Sequence, residues 1–137
     1  MANRFFNQFG KTMEKEVVSL FLKATIGASG AITLDAVNSK GIAAVQKIGT
    51  GAYRIIFGTS LASKDVYYKF FGAFPVFKTA GGSPPLAPIM YLADLKHNVV
   101  GDCYIDLQFV DVGGISTNPA SGDELYMEIK LGNSSAQ

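Results

Sequence analysis

Apolar and polar residues alternate in run after run between about residues 18 and 131. The clearest run is 125–131, where Leu125, Met127, Ile129 and Leu131 interleave with Tyr126, Glu128 and Lys130. A period of two places the four apolar side chains on one face of a β-strand. The same reading gives Cys103, Ile105, Leu107 and Phe109 an inward face in 103–109, and Tyr53, Ile55 and Phe57 one in 52–58. The stretch 14–27 fits two templates. A helix would use Met13, Val17, Leu20, Phe21 and Ala24; a strand would use Val18, Leu20, Leu22, Ala24 and Ile26. Every inward position of the strand template is apolar or small, and β-branched Val and Ile favour it, so a strand is expected over 17–26.

Turn residues punctuate these runs at short intervals. Gly27-Ala28-Ser29-Gly30 precedes a strand at 32–37, and Asn38-Ser39-Lys40-Gly41 follows it. The runs 42–48 and 52–58 flank Gly49-Thr50-Gly51 and read as a β-hairpin. Residues 79–88, with Gly81-Gly82 and Pro84-Pro85, exclude regular structure. Strands then follow at 89–95, 103–109 and 125–131, the last two separated by a long loop at 111–123. About eight strands with no helices between them predict an all-β, antiparallel β-sandwich. The expected organisation is an extended N-terminal arm at 1–13, a sandwich domain at 14–132 and a polar tail at 133–137.

The run 65–77 breaks the pattern, because it is apolar on both faces. Simple alternation places Val66, Tyr68, Phe70, Phe74 and Val76 on one side, and Tyr67, Phe71 and Phe77 beside Lys69 on the other. Pro75 cannot donate to a sheet ladder, which predicts an edge or a bulge, and Gly72 can supply the bulge. The extra apolar face needs a cover: a loop, the N-terminal segment or a partner subunit. Phe5, Phe6 and Phe9 stand close together before the first strand. Their burial is worth roughly 1.5–3 kcal/mol each, so they dock on their own domain or on a neighbouring subunit. Phe5, Phe6, Phe9, Tyr67, Phe71 and Phe77 are therefore the candidate interface residues.

Composition narrows the chemistry. In 137 residues there is one histidine, one cysteine and no tryptophan. Any Ser-His-Asp or Cys-His arrangement would have to use His97, which lies in a polar turn with no nucleophile elbow in the chain. Structural zinc needs four Cys or His ligands and catalytic zinc three protein ligands, so zinc is excluded. Asp102 and Asp106, like Glu124 and Glu128, are four apart on a strand and hence about 13 Å apart, too far for a glycosidase pair. Solvated polar faces are the expected role of these carboxylates. Calcium is the least implausible metal, through Asp111, Asn118 and Asp123 in one loop, but the EF-hand spacing is missing. The expectation is no catalytic residue, no cofactor and no metal. The net charge is +1 with scattered Lys and Arg, which predicts neither a nucleic-acid partner nor a membrane partner. The charged fraction is only 17%, below the usual quarter, which favours association with other protein surfaces. Cys103 cannot form an intrachain disulfide and is expected as a buried, inert thiol in a protein made in a reducing compartment.

Three stretches carry a resemblance: ANRFFNQFGKTMEKEVVSLF followed by TIGASGAITLD, the hairpin SKGIAAVQKIGTGAYRIIFG, and the closing NPASGDELYMEIKLGNSS. Together they resemble small virion proteins of tailed bacteriophages, the capsid cement or decoration proteins. The resemblance implies a jelly-roll-like sandwich that assembles as a homodimer or homotrimer and binds the major capsid protein. It implies a place on the capsid exterior after synthesis in the host cytoplasm, and no enzymatic activity. The alternative is a fibre or tail-associated module that recognises a host glycan or protein through loops 79–88 or 111–123.

Overall fold

The computed structural model describes residues 17–60, 68–82, 84–96 and 101–133. Phe5, Phe6 and Phe9 of the expected arm, Tyr67, and His97 lie outside the described residues. The described residues form eight strands: β1 (Val17–Ile26), β2 (Ile32–Leu34), β3 (Ala44–Gly49), β4 (Ala52–Ser60), β5 (Tyr68–Lys78), β6 (Ile89–Lys96), β7 (Gly101–Val110) and β8 (Glu124–Asn133). They build two antiparallel sheets with strand orders β2-β1-β8-β5 and β3-β4-β7-β6. The all-β sandwich read from alternation is the fold of the chain. The stretch that fitted both helix and strand is strand β1, with Leu20, Leu22, Ala24 and Ile26 all buried.

The core sits between the central strands, β1 and β8 of one sheet and β4 and β7 of the other. Tyr53, Ile55 and Phe57 face Cys103, Ile105, Leu107 and Phe109 from within one sheet; Leu125, Met127, Ile129 and Leu131 come from the opposite one. These are the positions that alternate most cleanly in the sequence. Burying each large apolar side chain contributes roughly 1.5–3 kcal/mol, so this double layer supplies most of the fold's driving force. Jelly-roll connectivity is not confirmed by the strand order. The consecutive pairs β1/β2, β3/β4 and β6/β7 each share a sheet as neighbours.

Strand β5 is an edge strand, one of the two alternatives Pro75 allowed, and its bulge falls at Phe71, beside Gly72. Phe70 pairs with Leu131 while Gly72 pairs with Lys130, so Phe71 is the extra residue. One inserted residue flips every side chain beyond it to the other face. Simple alternation placed Phe71 and Phe77 together; the bulge separates them. Phe77 turns inward against Phe109, with ring centroids 5.4 Å apart, while Phe71 stands 61% exposed. Strand β2 also ends earlier than alternation suggests. The Asp35 carboxylate accepts the N–H groups of Val37 and Asn38, and this turn replaces the strand after Leu34.

One end of the sandwich is closed by an interlocked set of turns. The buried Tyr53 hydroxyl donates to the Gly30 carbonyl at 2.7 Å, which ties β4 to the short 3-10 turn Ala28–Gly30. Removing that hydroxyl in Tyr53→Phe leaves a buried carbonyl without its donor and is expected to cost about 1–2 kcal/mol in urea unfolding. Burial pushes the Tyr53 hydroxyl up to about 12, against about 10 in an unfolded chain. The folded state therefore holds this proton more tightly. Its contribution is complete below pH 10 and is lost as pH rises towards about 12. The stability gap between the native chain and Tyr53→Phe is expected to narrow across that window.

Candidate functional site

Strands that bury one face must show the other, and on the β2-β1-β8-β5 sheet the outer face is mixed. Register aligns three of its strands in rows. Phe21 of β1 lies beside Glu128 of β8, which lies beside Phe74 of β5; the next outward row is Lys23, Tyr126 and Val76. Phe21, Tyr126, Phe74 and Val76 floor a groove of about 780 Å³, with Val37 of the turn after β2 and Lys40 along its wall. Phe74 and Val76 are each 64% exposed.

Two of the charged groups lining the groove, Lys23 and Glu128, are paired within the chain, and Lys40 on the wall is not among these pairs. Lys23 reaches Asp35 at 3.6 Å and lies 5.7 Å above the Tyr126 ring. Lys130 bonds Glu128 at 2.8 Å and donates to the Ser19 hydroxyl at 2.7 Å. Tyr126 donates its hydroxyl to Glu124 at 2.6 Å. That bond lowers the Glu124 carboxyl and raises the Tyr126 hydroxyl relative to their ordinary values. Attraction to Tyr126 first, and to Asp35 and Glu124 after it, holds the Lys23 amine above its usual value. Exposed pairs of this kind contribute little to stability. Together they leave an apolar floor beside paired charges, with Lys40 as a further cation on the wall.

A second feature is the side of the sandwich where edge strands β5 and β6 lie. Seven of the twelve large apolar side chains that stand exposed among the described residues belong to β5, β6 or the loop between them: Phe71, Phe74, Val76, Leu86, Ile89, Tyr91 and Leu92. Leu92 pairs with the buried Leu107 and so has an inward register, yet it is 44% exposed. Between the two strands lies a cleft of about 520 Å³ lined by Pro75, Phe77, Pro85, Met90 and Phe109. Both edges are irregular: β5 has the Phe71 bulge and Pro75, and β6 shifts register at Ala93 beside Asp94. Bulges, prolines and edge charges discourage strand addition. Contact through side chains is the mode this edge permits.

Three polar side chains of the 111–123 loop are bonded internally. Asp111 accepts the N–H groups of Gly113 and Ile115. The Asn118 side chain accepts from Gly51 and donates to the Ser29 carbonyl. Asp123 accepts from Ala80 and Ala120. The three residues weighed for calcium thus serve three separate turns. Among the described residues, no three His, Cys, Asp or Glu side chains gather as a ligand set. Asp106, expected on a solvated face, is instead buried beneath Arg54, which bonds it through two nitrogens at 2.8 and 3.0 Å. The Arg54 guanidinium also stacks 3.9 Å from the Tyr104 ring centre. Alternation identifies a residue's face but not its cross-strand neighbour, so this pairing had no signal in the sequence. Cys103 is buried, as expected.

Of the candidate interface residues that fall among the described ones, Phe71 is on the open edge and Phe77 is in the cleft against the core. The structure adds Phe21, Val37, Phe74, Val76 and Tyr126 in the groove, and Ile89, Tyr91 and Leu92 on β6. Comparison of the chain with protein-family models, with curated proteins and with solved structures finds no match.

Proposed function

We propose that this chain is a non-enzymatic structural protein that binds and stabilises an assembled shell, in the manner of a phage capsid cement protein. The observation that carries the reading is the exposure of Phe71, Leu86, Ile89, Tyr91 and Leu92 on β5, β6 and their connecting loop, outside the groove. Large apolar side chains exposed together on neighbouring elements favour protein contact over bulk solvent. The low charged fraction and the resemblance of the chain's beginning, hairpin and end to decoration proteins support the same reading. The physical role is linkage. A protein that binds the closed lattice better than free subunits shifts the equilibrium towards the closed lattice. Repetition of the site on a symmetric shell, and assembly of the chain as a dimer or trimer, multiply modest contacts into avidity. The partner under this reading is the major capsid protein of the same virus.

Sedimentation of purified protein with emptied phage heads tests the reading, with mass spectrometry of particles counting copies. Many copies per particle are expected, and their absence from particles overturns the proposal; a few copies per particle instead favour a tail or fibre component. Leu92→Asp and Phe71→Asp place a charge in the contact without disturbing a buried position. Each is expected to weaken binding by about 2 kcal/mol per site, or about 30-fold. Retention of full binding by both variants removes β5 and β6 as the contact surface.

A further inference from the structure

The groove on the outer face of the β2-β1-β8-β5 sheet is an apolar surface separate from the β5–β6 edge. Its floor of Phe21, Phe74, Val76 and Tyr126 is apolar, and Lys23 and Glu128 at its rim are held in the Lys23–Asp35 and Glu128–Lys130 pairs, with Lys40 on the wall. The apolar floor therefore favours an apolar segment. The chain enters β1 at Val17, in the row that continues through Gly132 to Lys69 at the start of β5. From there the row holding Phe21 and Phe74 is four residues away, about 13 Å along the strand. The sixteen residues that precede β1 carry Phe5, Phe6 and Phe9, followed by Gly10. The stretch 10–16 between Phe9 and β1 spans at most about 25 Å when extended, enough to double back over that distance.

We propose that the aromatic segment around Phe5, Phe6 and Phe9 folds back and fills this groove on its own chain. Tethering decides between the same chain and a second copy. A short flexible connection holds the segment near the groove at an effective concentration on the order of millimolar, far above a dilute solution of other copies. Filling the groove withholds the outer face from other proteins and leaves the β5–β6 edge as the surface for contact. The inference does not depend on the shell-binding reading, and its test uses purified protein without shells.

Val76→Cys places a thiol in the groove, while the native Cys103, fully buried, reports on folding. Maleimide labelling of the introduced thiol is measured in the otherwise intact chain, after deletion of residues 2–13, and with Phe5, Phe6 and Phe9 all changed to Ser. A segment that holds the groove about nine-tenths of the time leaves about one-tenth reactive, so both changes are expected to speed labelling about tenfold. Protection by the chain's own segment stays constant over a roughly hundredfold range of protein concentration. Equal rates in the three proteins overturn the proposal. Protection that grows with concentration also overturns it, because a second copy then fills the groove. Should the deletion unfold the chain, Cys103 becomes reactive and the triple serine variant decides.

Discussion

Gly51→Ala is expected to destabilise the chain by about 4 kcal/mol, one of the largest effects a single methyl can have here. Gly51 closes the turn between β3 and β4 with φ of +67°, and it is buried. An added Cβ would lie 2.6 Å from two backbone oxygens, those of Phe109 and Thr117. Neither oxygen can swing aside, because Phe109 and Thr117 are themselves joined by a backbone hydrogen bond. Gly51 also accepts from the Phe109 N–H at 2.7 Å and donates to the Asn118 side chain at 2.8 Å. Displacing it therefore unties the hairpin from β7 and from the 111–123 loop together. Gly82→Ala is the control. It has φ of +70° but nothing within 4 Å of the new carbon, so only the left-handed backbone cost of roughly 1–2 kcal/mol applies. Thermal unfolding should separate the two variants by several degrees. Equal melting temperatures would refute the steric argument.

The contrast between those glycines shows what the sequence could and could not convey. Gly51 and Gly82 both announce turns. Which one lies against another segment depends on tertiary register, and register is not local. The same division runs through the strands. β7 and β8 are central, with an apolar face packed in the core and a largely polar, partly covered face outside, so their alternation is clean and legible. β5 and β6 are edges. There Phe71 sits in a bulge that shifts the faces beyond it, and Ile89, Met90, Tyr91 and Leu92 run on without alternation because the sandwich is open beside them. The double apolar character of β5 was legible, while Pro75 left an edge and a bulge both open. The groove was only half legible. Phe74 and Val76 were visible as a surplus face, but Phe21, Tyr126 and Val37 join them only through the β1–β8–β5 register and the Asp35 turn.

The interior and the open edge have opposite designs. Among the described residues, every buried side-chain nitrogen and oxygen has a hydrogen-bond partner. In the 111–123 loop, Asp111, Asn118 and Asp123 all spend their side-chain atoms on neighbouring turns. The material left for recognition is apolar: Phe71, Leu86, Ile89, Tyr91 and Leu92 on one side, and the groove on one face. Apolar side chains recognise shape and area, not the hydroxyl pattern of a sugar. This distribution favours protein contact over glycan recognition for the shell-binding proposal.

Asp123 shows how completely one polar group can be absorbed by the fold. Its side chain is buried at 2% exposure, and its two carboxylate oxygens accept the N–H groups of Ala80 and Ala120 at 3.0 and 3.1 Å. Its carbonyl accepts from Ile26, and the neighbouring Gly122 donates back to Ile26. One residue thus joins the end of β1, the loop after β5 and the turn before β8. Asp123→Ala leaves two amide donors without their acceptor and opens a gap at that junction. The expected loss is about 3 kcal/mol, since a hydrogen bond to a charged group is worth roughly 1.5–3 kcal/mol. Asp123→Asn should recover only part of this, because one terminal atom becomes a donor facing a donor. Asp111 offers the comparison: its carboxylate also accepts two amides, from Gly113 and Ile115, but in an exposed turn. Water can replace it there, so Asp111→Ala should cost about 1 kcal/mol. Urea midpoints should therefore fall in the order native, Asp111→Ala, Asp123→Ala. If the two alanine variants share a midpoint, burial is not what gives Asp123 its weight, and the junction of three segments is held by something other than this carboxylate.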